Sequence, residues 1–416
     1  MNKIFKNAFW LALAEALTRG ISFLLFVWMA RHYGPYIYGQ WAYALSFAGL
    51  FAVLTDFGFS SLAVRELARD KARISEFVGN VLTMKLVLGA LTIGLINLVS
   101  GLLGQEDAVL KLVWFVAFYI VANNFAVFLN SVFRAQEKMF FESFSRALQG
   151  LILFCLSALF ISAGKPVIYI SYAHIAAALS GILISAFMAR NFFARFSFKA
   201  QLSAFKEILK EAWPFLFSGM FYMAYFQFGS VMLGVFSEMD QVGYYNAAYG
   251  PLGVVIVIPG ILTASFYPRL AGLFKENKPE FLKTFYNLRN ILMFLGFPLA
   301  VFLFLSSGWL ICLVYSENYA ESVFLLKILS AACIFKFLNY AYSYFLTSAN
   351  GQKMVLACQT TATLASFSLN YFLIISKGAL GAAWAMVTAE ILLFLLYLLF
   401  FNLKKKQIFS SPICQS

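Results

Sequence analysis

Apolar residues fill this chain in blocks of roughly 20 or more, the length that carries an α-helix across a hydrocarbon core, with short polar stretches between them. Read block by block, the pattern predicts twelve helices, at about 8–30, 39–63, 78–103, 110–133, 141–163, 167–189, 212–236, 242–267, 288–313, 321–346, 354–376 and 380–402. Two blocks carry an internal polar stripe. In the first, Glu15, Thr18, Arg19 and Ser22 recur at i, i+3, i+4 and i+7, and in the tenth Lys336, Asn339, Tyr340 and Ser343 do the same. A face that polar has to be kept out of lipid, against another helix or against water. The eighth block holds Gly250, Pro251, Gly253, Pro259 and Gly260, a concentration of helix-bending residues.

The longest polar stretch, about 190–211, divides six blocks from six and marks a linker between an N-terminal half, 1–200, and a C-terminal half, 201–416. Within it Leu202, Phe205 and Leu209 recur at helical spacing among Lys199, Lys206 and Lys210, which suits an amphipathic helix on the membrane surface. Sliding the second half onto the first superposes Gly243 on Gly39, Ser265 on Ser61, Arg269 on Arg65 and Lys275 on Lys71 without a gap. The expected fold is therefore all-α and integral to the membrane, with about twelve transmembrane helices in two six-helix bundles. An even number of spans per half makes the repeat parallel, its pseudo-twofold axis along the membrane normal.

Charge then sets an orientation. Basic residues crowd the polar segments on one side, among them Lys3 and Lys6, Arg65 to Arg73, Arg190 to Lys210, Arg269 to Lys283 and Lys404 to Lys406. The opposite side holds only Arg31, Lys111, Lys165 and Lys377. The positive-inside rule places both termini and the linker in the cytoplasm. It also accounts for the net charge of +13 without nucleic acid. Composition agrees, with 62% hydrophobic and 12% charged residues, a balance no ordinary soluble domain has. The five cysteines form no C-x-x-C pair, and neither a metal nor another cofactor is expected. The outer segments are too short for the reactive domain of a membrane-embedded glycosyltransferase or polymerase.

The run ARHYGPYIYG from Ala30 to Gly39, with Asp56, Gly58 and Arg65-Glu66 beyond it, is one of several recognisable stretches. Others are VGYYNAAY from Val242 to Tyr249, the Phe266-Tyr267-Pro268 turn, and Asn370 through Gly378, Gly381, Ala382 and Ala383 to Glu390. Together they resemble the polysaccharide transporter family that includes Wzx-type O-antigen flippases, in the superfamily of the multidrug and toxin extrusion transporters. The resemblance implies no enzyme activity. It implies a flippase that moves an undecaprenyl-diphosphate-linked oligosaccharide from the cytoplasmic to the periplasmic leaflet of a bacterial inner membrane. Alternating access, coupling to a proton or sodium ion, contact with membrane lipid and partnership with saccharide polymerase or ligase machinery belong to the same expectation. The alternatives are an organic-cation exporter of the same fold, a membrane-embedded glycosyltransferase or polymerase, and a channel or scaffold.

A sugar diphosphate would need fixed cations for its headgroup and aromatic or amide groups for its sugars. Arg19, Lys336, Arg146 and Lys85 are the candidate cations within the predicted spans. Tyr222, Tyr225, Tyr245, Tyr249, Tyr340, Asn123 and Asn130 are the candidate sugar contacts. Of the acids, Glu15 and Glu142 stand at i, i+4 from Arg19 and Arg146 and are expected to pair with them. Asp56 and Glu390 have no basic residue one turn away, so with Glu15 they are the candidates for ion coupling.

Overall fold

The computed structural model describes residues 3–70, 73–192, 198 and 200–410, all of whose regular structure is helical. Lys71, Arg195, Lys199 and Cys414 lie outside the described residues. Nine helices among the described residues are long and apolar enough to cross a membrane. The chain divides into two compact units, Met1–Gln227 and Phe228–Ser416.

In the first unit α1 runs from Lys3 to Asp56, and its 54 residues would span about 80 Å if straight, far more than one bilayer crossing. It is broken at Gly34, whose φ of 76° belongs to the left-handed side of the map, and Pro35 restarts the helix with its own fixed φ. A second break follows at Phe57 and Gly58, after which α2 covers Phe59–Arg69. Asp56 accepts hydrogen bonds from the Ser60 hydroxyl (2.6 Å) and backbone amide, closing that turn. Gly58 is required twice over, since its φ is 82° and a Cβ there would stand 2.9 Å from the Ala212 carbonyl. Then come α3 (Ile74–Leu102), α4 (Asp107–Ala135), α5 (Met139–Ser162), α6 (Ile168–Phe192) and α7 (Leu202–Phe236).

The expected surface helix at Leu202, Phe205 and Leu209 is the opening of α7. Its apolar face packs on protein: Phe205, Ile208, Leu209 and Ala212 lie against Phe59, Leu62, Phe77 and Val81 of α2 and α3. The stripe legible in the sequence is thus covered by α2 and α3 at Phe205 and Leu209, while Leu202 stays exposed.

The second unit holds the rest of α7, then α8 (Met239–Val255), α9 (Val257–Glu276), α10 (Lys278–Tyr315), α11 (Ala320–Ser348) and α12 (Gln352–Ser410). The glycine- and proline-rich eighth block is broken between α8 and α9 at Ile256. Pro259 has no amide hydrogen for the Val255 carbonyl, which accounts for a break at that point. In α12, 59 residues long, Gly378 at φ 55° and ψ −132° interrupts the helix as Gly34 does in α1. Large apolar side chains such as Phe294 (78% exposed) and Leu102 (78%) face outward, the surface a lipid solvent calls for.

Candidate functional site

Three helices of the first unit turn polar stripes toward one another. On α1 the stripe is Glu15, Thr18 and Ser22; on α4 it is Tyr119, Asn123, Asn130 and Arg134; on α5 it is Glu142, Arg146 and Gln149. Each follows the three- and four-residue spacing that keeps side chains on one helical face. Between them lies a cavity of about 340 Å³.

The charged residues lining this cavity, Glu15, Arg134, Glu142 and Arg146, form a chain of shared partners that extends to Arg19 outside the lining. The Arg19 Nε donates to Glu15 Oε1 at 2.6 Å, and Arg146 Nη2 donates to Glu15 Oε2 at 2.7 Å. Arg146 Nη1 lies 3.8 Å from Glu142 Oε1, and Glu142, fully buried, also takes both nitrogens of the Arg134 fork, one of them at 2.6 Å. Three guanidiniums thus meet two carboxylates, two of the three, Arg134 and Arg146, at the cavity wall. Both i, i+4 pairs expected from the sequence are present, with Arg134 added across the turn between α4 and α5. Arg19 itself is half exposed.

The amides continue this lining. Gln149 Nε2 donates to Asn123 Oδ1 at 2.9 Å. Asn130 Oδ1 accepts from the Ser185 hydroxyl of α6 at 2.9 Å, and Ser185 lies 2.8 Å from Ser145 of α5. His174 is buried between Trp41 and Tyr119, with Nδ1 2.9 Å from the Ile170 carbonyl.

The remaining candidates fall elsewhere. Lys85, fully buried, lies outside this cavity; its Nζ donates to Asp56 Oδ1 at 2.9 Å and sits over the Phe128 ring, 5.5 Å from its centroid. In the second unit Lys336 donates to Glu390 Oε1, and Asn339 donates to Glu390 Oε2 at 2.8 Å and to its backbone carbonyl at 3.1 Å. Asp56 and Glu390 each have a lysine partner on another helix, which spacing along one helix could not reveal. Tyr245 and Tyr249 stack at 6.4 Å, the Tyr245 hydroxyl facing the Met386 sulfur, and Tyr340 packs beside Gly260. Tyr222 and Tyr225, on the first-unit part of α7, pack on Phe226, with Tyr222 exposed.

Arg134, one residue past the helix expected at 110–133, is not among the candidates expected from the sequence, nor are Gln149 and Tyr119. The α4 spacing from Tyr119 through Asn123 and Asn130 to Arg134 carried the signal.

Residues 4–274 match the family model described as "Polysaccharide biosynthesis protein". The chain belongs to that family. Two relatives are each named "Putative O-antigen transporter". The one from Shigella flexneri is 25% identical, over 91% of this chain and 93% of the relative. The one from Escherichia coli (strain K12) is 20% identical, over 95% of this chain and 96% of its own length. Among solved structures, the lipid II flippase MurJ in an inward closed conformation is similar with a TM-score of 0.77 at 16% identity, over 94% of this chain and 86% of that one. An inward-facing multidrug resistance MATE family transporter of the MOP superfamily follows at 0.72 and 16%, over 93% and 94%. The fold of this polysaccharide biosynthesis protein is thus one of membrane transporters and not of an enzyme family.

Proposed function

We propose that this protein is a flippase for an undecaprenyl-diphosphate-linked oligosaccharide, working by alternating access between two six-helix halves. In this reading the breaks at Gly34 and Gly378 divide α1 and α12 into two crossings each, and α11 completes twelve. The halves are 1–200 and 201–416 joined by the 190–211 linker, related by a parallel repeat, with both termini on the cytoplasmic side of a bacterial inner membrane. Family membership and the names carried by the relatives support the substrate class.

The observation that carries the reading is the polar cavity of the first unit, whose lining arginines Arg134 and Arg146 belong to a network of three guanidiniums on two carboxylates. Arginine forks suit phosphate oxygens in two-point contact, and a diphosphate arriving there replaces carboxylates already held in the same way. Arg146 and Arg134 are the headgroup ligands on this account, and Glu15 holds Arg146 and the neighbouring Arg19 in place when substrate is absent. An organic-cation exporter would need unsatisfied carboxylates, whereas Glu15 and Glu142 are each shared by two arginines. For ion coupling the candidates are Asp56 and Glu390, each held by one lysine that proton or sodium uptake would release, with Glu15 as the third.

Protein reconstituted in nanodiscs should bind undecaprenyl diphosphate and ignore tetraphenylphosphonium. Preference for the cation would replace this reading with the exporter.

A further inference from the structure

The cavity of the first unit changes character along its length. At the end next to the turn between α4 and α5 it is ionic, with Arg134, Glu142, Arg146 and Glu15. Farther along it has no charge. Asn123 precedes Arg134 by 11 residues on α4, about 16 Å at helical rise, and Gln149 follows Glu142 by seven on α5, about 10 Å. Because α4 and α5 run antiparallel, both displacements lead the same way.

At that uncharged end two amides are already aligned. The hydrogen bond from Gln149 Nε2 to Asn123 Oδ1 fixes one donor and one acceptor. The Asn123 NH₂ has no partner among the described residues and remains available to the cavity. Gly181 of α6 backs the arrangement, since a Cβ there would lie 2.7 Å from Gln149 Oε1 and push the amide aside. One turn away Tyr119 borders the same space, its ring held edge-on against His174 at 4.8 Å.

Neutral amide donors and acceptors beside an aromatic ring match hydroxyl and acetamido groups on a pyranose and offer a phosphate little. We infer that the Asn123–Gln149 pair, seated by Gly181, is the saccharide-reading subsite. Substrate would lie along the cavity with its diphosphate at the arginines and its first sugars at the amides. A volume of about 340 Å³ is at the low end of the ~300–1,000 Å³ typical of small-ligand pockets, so the subsite reads the sugars nearest the diphosphate and not a whole repeat unit. This inference rests on the flippase reading and adds to it the residues that discriminate between sugars.

The test compares two ligands on full-length protein in nanodiscs: undecaprenyl diphosphate without sugar, and the undecaprenyl-diphosphate-linked oligosaccharides extracted from the source bacterium. Asn123→Ala and Gln149→Ala should leave binding of the first unchanged and weaken the second by roughly three- to tenfold for each hydrogen bond lost. Gly181→Ala should do the same without removing either amide, and Gln149→Glu should discriminate against the sugar-bearing lipid while still folding. Equal weakening of both ligands would make the pair a structural tie between α4 and α5, and no change in either would put sugar recognition elsewhere; each overturns the inference. If the unaltered protein binds neither lipid, the flippase reading itself fails, an outcome separate from both.

Discussion

In the first unit five charged side chains share partners, four of them around a cavity, while in the second one lysine and one glutamate are buried together with an asparagine. Lys336 and Glu390 are 5% and 2% exposed; Arg19, Arg146 and Glu15 are 51%, 24% and 35% exposed. Apart from the fully buried Glu142, ion pairs of similar composition therefore sit in different solvents. Where water reaches, a guanidinium can exchange one anion for another at modest cost. Where it does not, removing a partner strands a charge in a medium that cannot solvate it.

The sharpest way to break the comparison is to remove one side of the sealed pair. Lys336→Met or Glu390→Gln is expected to cost about 3–5 kcal/mol of stability, measured by thermal or chemical unfolding in detergent. The double variant Lys336→Met/Glu390→Leu should recover most of that loss, because two apolar side chains leave no stranded charge. Single variants as stable as the parent would show that water reaches the pair.

Lys85 and Asp56 are the intermediate case, with a fully buried lysine but a carboxylate that is 20% exposed and keeps its bonds to Ser60. Lys85→Met should cost about 2–3 kcal/mol in the same unfolding measurement. A loss as large as that of Lys336→Met would remove the gradation.

Arg146→Ala should cost only about 1–2 kcal/mol of stability, since Glu15 keeps Arg19 and Glu142 keeps Arg134. Its binding of undecaprenyl diphosphate should nevertheless fall by about tenfold or more. In the same binding measurement Arg19→Lys should retain more affinity than Arg19→Ala, because charge survives although the planar fork does not. Unchanged binding in Arg146→Ala would remove the cavity arginines from the headgroup site.

The smallest effect is expected at the unit's surface, where Arg65 pairs with Glu211 and both side chains are more than a third exposed. Glu211→Gln should shift the unfolding free energy by less than about 1 kcal/mol. A larger shift would mean that this pair, too, is screened from solvent.

Much of this was legible along the chain. Apolar block length pointed to an all-helical membrane fold, and the i, i+4 spacing to the pairs Glu15–Arg19 and Glu142–Arg146. The partners of Asp56 and Glu390 were not legible, because Lys85 and Lys336 arrive from other helices and periodicity within one helix says nothing about its neighbours. Arg134 was hidden for a different reason: it stands at the last turn of α4, where a basic residue reads as topology. Gln149 is a single uncharged amide in an apolar helix and gains meaning only from Asn123 across the cavity.

The docking of α7 on α2 and α3 bears on which lengths of this chain evolution and engineering are free to alter. Residues 202–212 fall within the linker expected from the sequence and carry two lysines and two glutamates, yet Ile208 and Ala212 are buried and the Ala212 carbonyl abuts Gly58. One residue inserted between Leu209 and Glu211 would turn everything downstream by about 100° on the helix, presenting Glu211 where alanine must fit. Insertions and deletions should accordingly be absent from this segment in homologues, and a tag or reporter placed there should cost folding.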